Sequence, residues 1–398
     1  MGEIADPQAS PATATDIRRL DSLTGMRFIA AFMVFLFHAA SMGVFALHGT
    51  ENDPFSLTVE NMGSLGVSFF FVLSGYVLTW SSRDGDTVGR FWRRRFVKIF
   101  PNHAVTFVVS LLLYASITAA VAPAVLNVTL LHAWVPDVDY FLSFNFPTWS
   151  LSCEFLFYLL FPFLLMGVRR IRPQRLWWWA AGTVLLIVAV PLIARLLPTD
   201  PTFQARWMRG PDFTESVYQY WFIYVFPPVR LLDFLLGILM ARIVIAGRWP
   251  AIRTWAATLL VVAGYLASLY VPFSFALNAV TIVPVALLIT STAELDVRAA
   301  PSFLRCRPMV WLGTVSFAFY MLHVMVLYYA REQIGLTRFL PAAKGIGWIA
   351  LMFAITLVAA WLLYAVVERP LTRRWSRAGS ADRPAKRPQD AAVVKGAR

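Results

Sequence analysis

The stretch LTGMRFIAAFMVFLFH, Leu23–His38, is apolar enough to cross a membrane, yet it carries an arginine near one end and a histidine at the other. It is the first of ten such runs, at roughly 23–43, 65–82, 97–120, 149–168, 176–197, 221–241, 253–271, 274–292, 309–330 and 346–367. Each approaches the length of about 20 residues that crosses a bilayer as a helix. The runs are continuous rather than alternating, which favours helices over a β-barrel. Composition agrees: 59% of the 398 residues are hydrophobic and 14% charged, against about 25% charged in soluble domains. The expected fold class is therefore all-α, a polytopic membrane helical bundle of about ten transmembrane helices. Leu23 onward lacks a small-residue cleavage site and reads as a first span rather than a signal peptide.

The net charge of +13 comes mostly from arginine. In a soluble chain that excess suggests nucleic acid. Here it lies between spans and on the tail, so no nucleic-acid partner is expected. Arg83, Arg90, Arg93, Arg94, Arg95 and Lys98 follow the second run, and Arg169, Arg170, Arg172 and Arg175 follow the fourth. The segments 44–64 and 121–148 contain acidic residues but no Lys or Arg. By the positive-inside rule this predicts a multi-pass cell-membrane protein with both termini cytoplasmic. Residues 1–19 read as a disordered tail, 20–375 as the membrane domain and 376–398 as a basic cytoplasmic tail. Cys153 and Cys306 fall on opposite sides in this topology, so no disulfide joins them.

Arg27 and His38 are separated by 11 residues. At 100° per residue that is about three turns plus 20°, so both project from one helix face, roughly 16 Å apart. Alone, Arg27 reads as a snorkelling anchor. His38 is harder to dismiss, because ionisable groups within a bilayer generally face a bundle interior or cavity. A second run, PTWSLSCEFLFYLLFP, places Glu154 about as far inside the outer end of its span as His38 is inside its own. A carboxylate near an imidazole can hold its tautomer and raise its basicity. A structural His–Glu pair gives the same pattern. His323, in SFAFYMLH, is either a third polar member or an interhelical hydrogen bond. Arg230 and Asp233 stand i,i+3 and read as a structural pair. The run RFWRRRFVKIFP, Arg90–Pro101, puts Arg95 and Lys98 on one face, which suits a polyanionic ligand, although positive-inside charge explains most of it.

Taken together, the motifs resemble the acyltransferase-3 family of membrane O-acyltransferases. They are LTGMRFIAAFMVFLFH with its Arg–ten residues–His spacing, FFFVLSGYVLT, RRFVKIFP, WSLSCEFLFYLLFP, LLDFLLGILMA, SFAFYMLH and a terminal ERPL. The resemblance covers about Leu20 to Trp375. It implies transfer of an acyl group from cytoplasmic acyl-CoA, acetyl-CoA first among them, to a hydroxyl of a sugar or small-molecule acceptor. Carried across residue by residue, Arg27, Arg95 and Lys98 engage the donor, and His38 with Glu154 acts on the acceptor. Lys98 stands where the family commonly has a second arginine, and Phe155 where it often has a second acid. The opening LTGMRF and the arginine-rich composition are similar to actinobacterial members, which include macrolide antibiotic O-acyltransferases. Cell-surface polysaccharide is the alternative acceptor. No metal is expected, and membrane lipids are the expected surroundings. A proton-coupled transporter is the rival class, since it too buries His, Glu and Arg. No internal repeat supports it.

Overall fold

A computed structural model describes residues 19–45, 54–83, 85–114, 120–203, 215–335 and 338–377. The two expected tails lie outside the described residues, apart from Arg19 and residues 376–377, and so do His48, Glu51 and Asp53. Among the described residues the protein is helical, with isolated bridges at Phe45–Leu340 and Thr202–Ser216. Ten helices have 15 or more residues: α1 (Asp21–Ser41), α2 (Met62–Trp80), α3 (Val88–Tyr114), α4 (Trp149–Arg169), α5 (Leu176–Ala194), α6 (Pro227–Ile245), α7 (Thr254–Ser268), α8 (Ile282–Val297), α9 (Arg307–Ile334) and α10 (Ala342–Leu363). Seven helical segments are long and apolar enough to cross a membrane. The other three are α6, which carries Arg230, Asp233 and Arg242, and the shorter α7 and α8. The bundle is polytopic and all-α, as its composition requires.

Three boundaries differ from the sequence reading. α3 starts at Val88, nine residues before the apolar run, so the arginine-rich segment is itself helical. The sixth run breaks: a π-helical turn at Trp221–Val225 ends at Phe226, and Pro227 starts α6 afresh. Proline's fixed φ and missing N–H suit a first helical turn and not an interior one. The eighth run is a short helix at Phe273–Ala276 and a turn, with α8 beginning only at Ile282. Asn278 in that turn is drawn inward to Ser68 and Asp233.

Close helix contacts set the frame of the site. A Cβ on Gly237 of α6 would lie 2.0 Å from the Val72 carbonyl of α2, and one on Gly75 of α2 would lie 2.0 Å from the Phe234 carbonyl of α6. The two backbones touch, as small residues allow where lipid supplies no hydrophobic drive. An alanine at Gly237 would force the helices apart, at a cost of about 1–3 kcal/mol. α9 meets α1 in the same way at Gly313, where a Cβ would lie 1.8 Å from the Thr24 carbonyl. The Asp296 carboxylate accepts from Ser22 N–H (2.8 Å) and Oγ–H (2.7 Å), fixing the start of α1. Buried Arg331 donates to the carbonyls of Met42 (3.0 Å) and Gly43 (3.1 Å), fixing its end to α9. Both ends of α1 are thus pinned, and Arg27 and His38 with them.

Candidate active site

Arg27 and His38 line two different cavities. The His38 cavity holds about 670 Å³ of empty space out to its open mouth, and the Arg27 cavity about 390 Å³. Val67 of α2 and Tyr320 of α9 line both, so a partition one side chain thick divides them. The Tyr320 hydroxyl lies 2.9 Å from Ser150 Oγ, which holds that partition in place.

At the Arg27 end, Glu154 and Ser150 line the cavity beside Arg27. Tyr158 donates to the Glu154 carboxylate (3.3 Å), which also lies in the field of Arg27, Lys98 and Arg95. Arg95 packs its guanidinium over the rings of Phe91 (5.6 Å) and Tyr158 (5.9 Å), while its Nε is buried without a hydrogen-bond partner among the described residues. Lys98, one turn on, pairs with Glu368 and lies over Phe317 (5.8 Å). Asn102 donates to the second oxygen of Glu368 (2.7 Å). The i,i+3 spacing does put Arg95 and Lys98 on one inward face. Their neighbours turn outward: Arg90 and Arg93 are exposed, and Arg94 pairs with Asp86. Three cations therefore face two carboxylates.

At the other end, His38 Nδ1 lies 2.9 Å from the Val34 carbonyl and 3.1 Å from His323 Nε2. His323 Nδ1 lies 2.7 Å from the Tyr320 carbonyl. A carbonyl can only accept, so each Nδ1 carries the hydrogen when its ring is neutral. His323 Nε2 is then a bare acceptor for the His38 Nδ1–H. His38 is left with Nε2 as its proton-accepting nitrogen, on a ring that lines the larger cavity. That tautomer is what a general base requires.

The expected pairing of His38 with Glu154 is corrected by this arrangement. Ser150 meets Tyr320, which is one turn deeper than His323, and Glu154 is a further turn deeper than Ser150. Those two turns put Glu154 roughly 10 Å towards the Arg27 end from His38. Counting from the helix start misleads because α4 begins inside the protein. Asn145, just before it, donates to the Met321 carbonyl (2.8 Å), and Thr148 Oγ1 lies 3.2 Å from His132 Nε2.

A family model described as an acyltransferase domain matches residues 20–365. The chain belongs to the acyltransferase-3 family. It is 40% identical to the acyltransferase MdmB of Streptomyces mycarofaciens, over 90% of this chain and 93% of that one. It is 24% identical to the peptidoglycan O-acetyltransferase OatA of Listeria monocytogenes, over 88% of this chain but 56% of that longer protein. No solved structure gives a significant match.

Within this membrane acyltransferase the other described histidines are structural. His103 lies fifteen residues inside α3 and bonds the Asn127 carbonyl (2.9 Å), away from the Arg95–Lys98 face. His132 is buried in the loop before α4, and burial, with His103 nearby, holds its imidazole down to about 3. Cys153 is buried and donates to the Val225 carbonyl (3.4 Å). Sequence reasoning missed Glu368, although the ERPL motif contains it. It also gave no role to Tyr320, whose partner Ser150 comes from another helix, nor to Tyr158, whose hydroxyl donates to Glu154 one turn back on α4.

Proposed function

We propose that this acyltransferase moves an acyl group, acetyl first among them, from acyl-CoA to a hydroxyl of a sugar-containing acceptor, with a macrolide antibiotic among the candidates. The observation that carries this is the pair of cavities that share Val67 and Tyr320, one lined by Arg27 and Glu154 in the field of Arg95 and Lys98, the other lined by the His38 ring. The residues of the Arg27 cavity fit a polyanion. With Arg95 and Lys98 beside it, Arg27 belongs to three cations against Glu154 and Glu368, and the Arg95 Nε donor has no hydrogen-bond partner among the described residues. Arg27, Arg95 and Lys98 would hold the phosphates of the donor through charge-assisted hydrogen bonds. Glu154 and Tyr158 would position those cations rather than act on the acceptor. The basic residues after the second and fourth spans support a cytoplasmic Arg27 end, with both termini on that side. The relative named as a peptidoglycan O-acetyltransferase supports transfer to a sugar hydroxyl, and cell-surface polysaccharide as the second reading of the acceptor.

Acyl-CoA supplies the acyl group as an activated thioester. His38 Nε2 takes the proton of the acceptor hydroxyl as its oxygen bonds to the acyl carbon, and the carbon–sulfur bond breaks. The proton then goes from His38 to the departing sulfur, giving an ester and free CoA. While His38 is cationic, its Nδ1–H still donates to Val34 and His323, both acceptors, so the charge is accommodated without rearrangement. The test is release of free thiol from acetyl-CoA by purified protein in detergent, with and without a panel of glycosides. Glycoside-dependent release, abolished in His38→Ala, is the expected result. Thiol release that never depends on an acceptor contradicts the reading, and a transporter or scaffold gives none.

A further inference from the structure

The His38 cavity has a property that proton transfer does not use. Glu60, between the short helix Pro54–Val59 and α2, lines it. No Arg or Lys is among the described residues lining that cavity, and Glu60 has no ion pair among the described residues. The segments 44–64 and 121–148 contain no Lys or Arg, while Arg206 and Arg209, after cavity-lining Phe203, lie outside the described residues. Glu60 is also held in place, because its neighbour Asn61 donates to the Ser268 carbonyl (3.1 Å) at the end of α7. The same cavity is lined by a group of stacked aromatic rings. Phe203 and Tyr220 stack at 4.0 Å between centroids, Tyr220 lies parallel to Phe273 at 6.3 Å, and Trp149 meets Tyr224 at 4.7 Å.

A carboxylate in a cavity lined mainly by apolar and aromatic side chains loses hydration, and no cation among the described residues compensates it. A ligand cation remedies this twice, by pairing with the carboxylate and by resting against ring faces. We propose that the His38 cavity selects acceptors that carry a protonated amine, such as an amino sugar, with Glu60 as the counter-charge and the aromatic rings as the cage. The proposal rests on reading this cavity as the acceptor site. The apolar rings also suit the carbon face of a sugar, so the amine adds selectivity to a cavity already shaped for a glycoside.

The test uses two octyl glycosides that share ring and chain. One carries a 2-dimethylamino group, cationic at pH 7, and the other a neutral 2-acetamido group. Binding to the full-length protein in nanodiscs is followed by calorimetry for wild type and Glu60→Gln, with circular dichroism to confirm the fold. Wild type should favour the cationic glycoside by about tenfold or more, and Glu60→Gln should reduce that preference to about threefold or less. Equal binding of the two glycosides by wild type overturns the proposal, as does a preference that survives in Glu60→Gln. Thiol release from acetyl-CoA is measured in the same preparations. If it fails while the charge preference holds, the catalytic reading falls and the amine site stands.

Discussion

Two charged clusters lie inside this bundle, and they are built differently. The Arg230–Asp233 cluster is balanced one charge to one, with both side chains fully buried and 2.8 Å apart. Ser68 and Asn278 close a ring of hydrogen bonds, from Arg230 to Ser68 (2.9 Å), Ser68 to Asn278 (2.9 Å) and Asn278 to Asp233 (2.9 Å). Phe71 and Tyr224 cover the guanidinium at 5.2 and 5.4 Å. The Arg27–Arg95–Lys98 cluster has surplus positive charge and an adjoining cavity; buried donors without a hydrogen-bond partner among the described residues occur in both clusters, Arg95 Nε here and Arg230 Nε and Nη1 in the other. The first joins α2, α6 and the turn before α8 and has no use for a ligand. The second carries one more cation than carboxylates, the imbalance that the proposed anionic donor would offset. Membrane burial of ions is therefore not in itself a sign of function; the informative feature is whether the charges are matched from within.

Single substitutions should separate the two clusters. Arg230→Ala leaves Asp233 buried and uncompensated, which costs about 3–5 kcal/mol. The expected outcome is loss of monodisperse, folded protein in detergent, seen by size-exclusion chromatography and thermal melting. Normal melting would show that the ring is dispensable. Arg95→Ala should leave the fold intact and raise the KM for acetyl-CoA about ten- to a hundredfold, the worth of a charge-assisted hydrogen bond. An unchanged donor KM removes Arg95 from the donor site. Lys98→Arg has the smallest expected effect, a donor KM within about threefold of wild type, because a cation that can still pair with Glu368 is retained. A large loss there would mean that the compact ammonium itself is required.

The helical fold was legible because apolar runs near 20 residues have few alternatives in a membrane. Within one helix, spacing was equally reliable. It put Arg27 and His38 on one face of α1, and Arg95 and Lys98 on one face of α3. Between helices it failed where relative depth mattered. Glu154 was matched to His38 by counting from helix starts, and the buried start of α4 shifts it by two turns. Glu368 pairs with Lys98 across 270 positions of sequence, which no local pattern encodes. His323 was visible as a histidine in a span, but its part in fixing the His38 tautomer depends on the close approach of α1 and α9 at Gly313.

The central claim is that His38, at the cavity opposite the cation cluster, is the base. Its most direct test is steady-state kinetics of His38→Ala with acetyl-CoA and an accepted glycoside, using protein whose melting temperature matches wild type. Loss of general-base assistance should lower kcat by about 10²–10⁴-fold while the donor KM stays within about threefold, because the donor cations are untouched. A folded His38→Ala protein that turns over at a near-normal kcat would contradict the account.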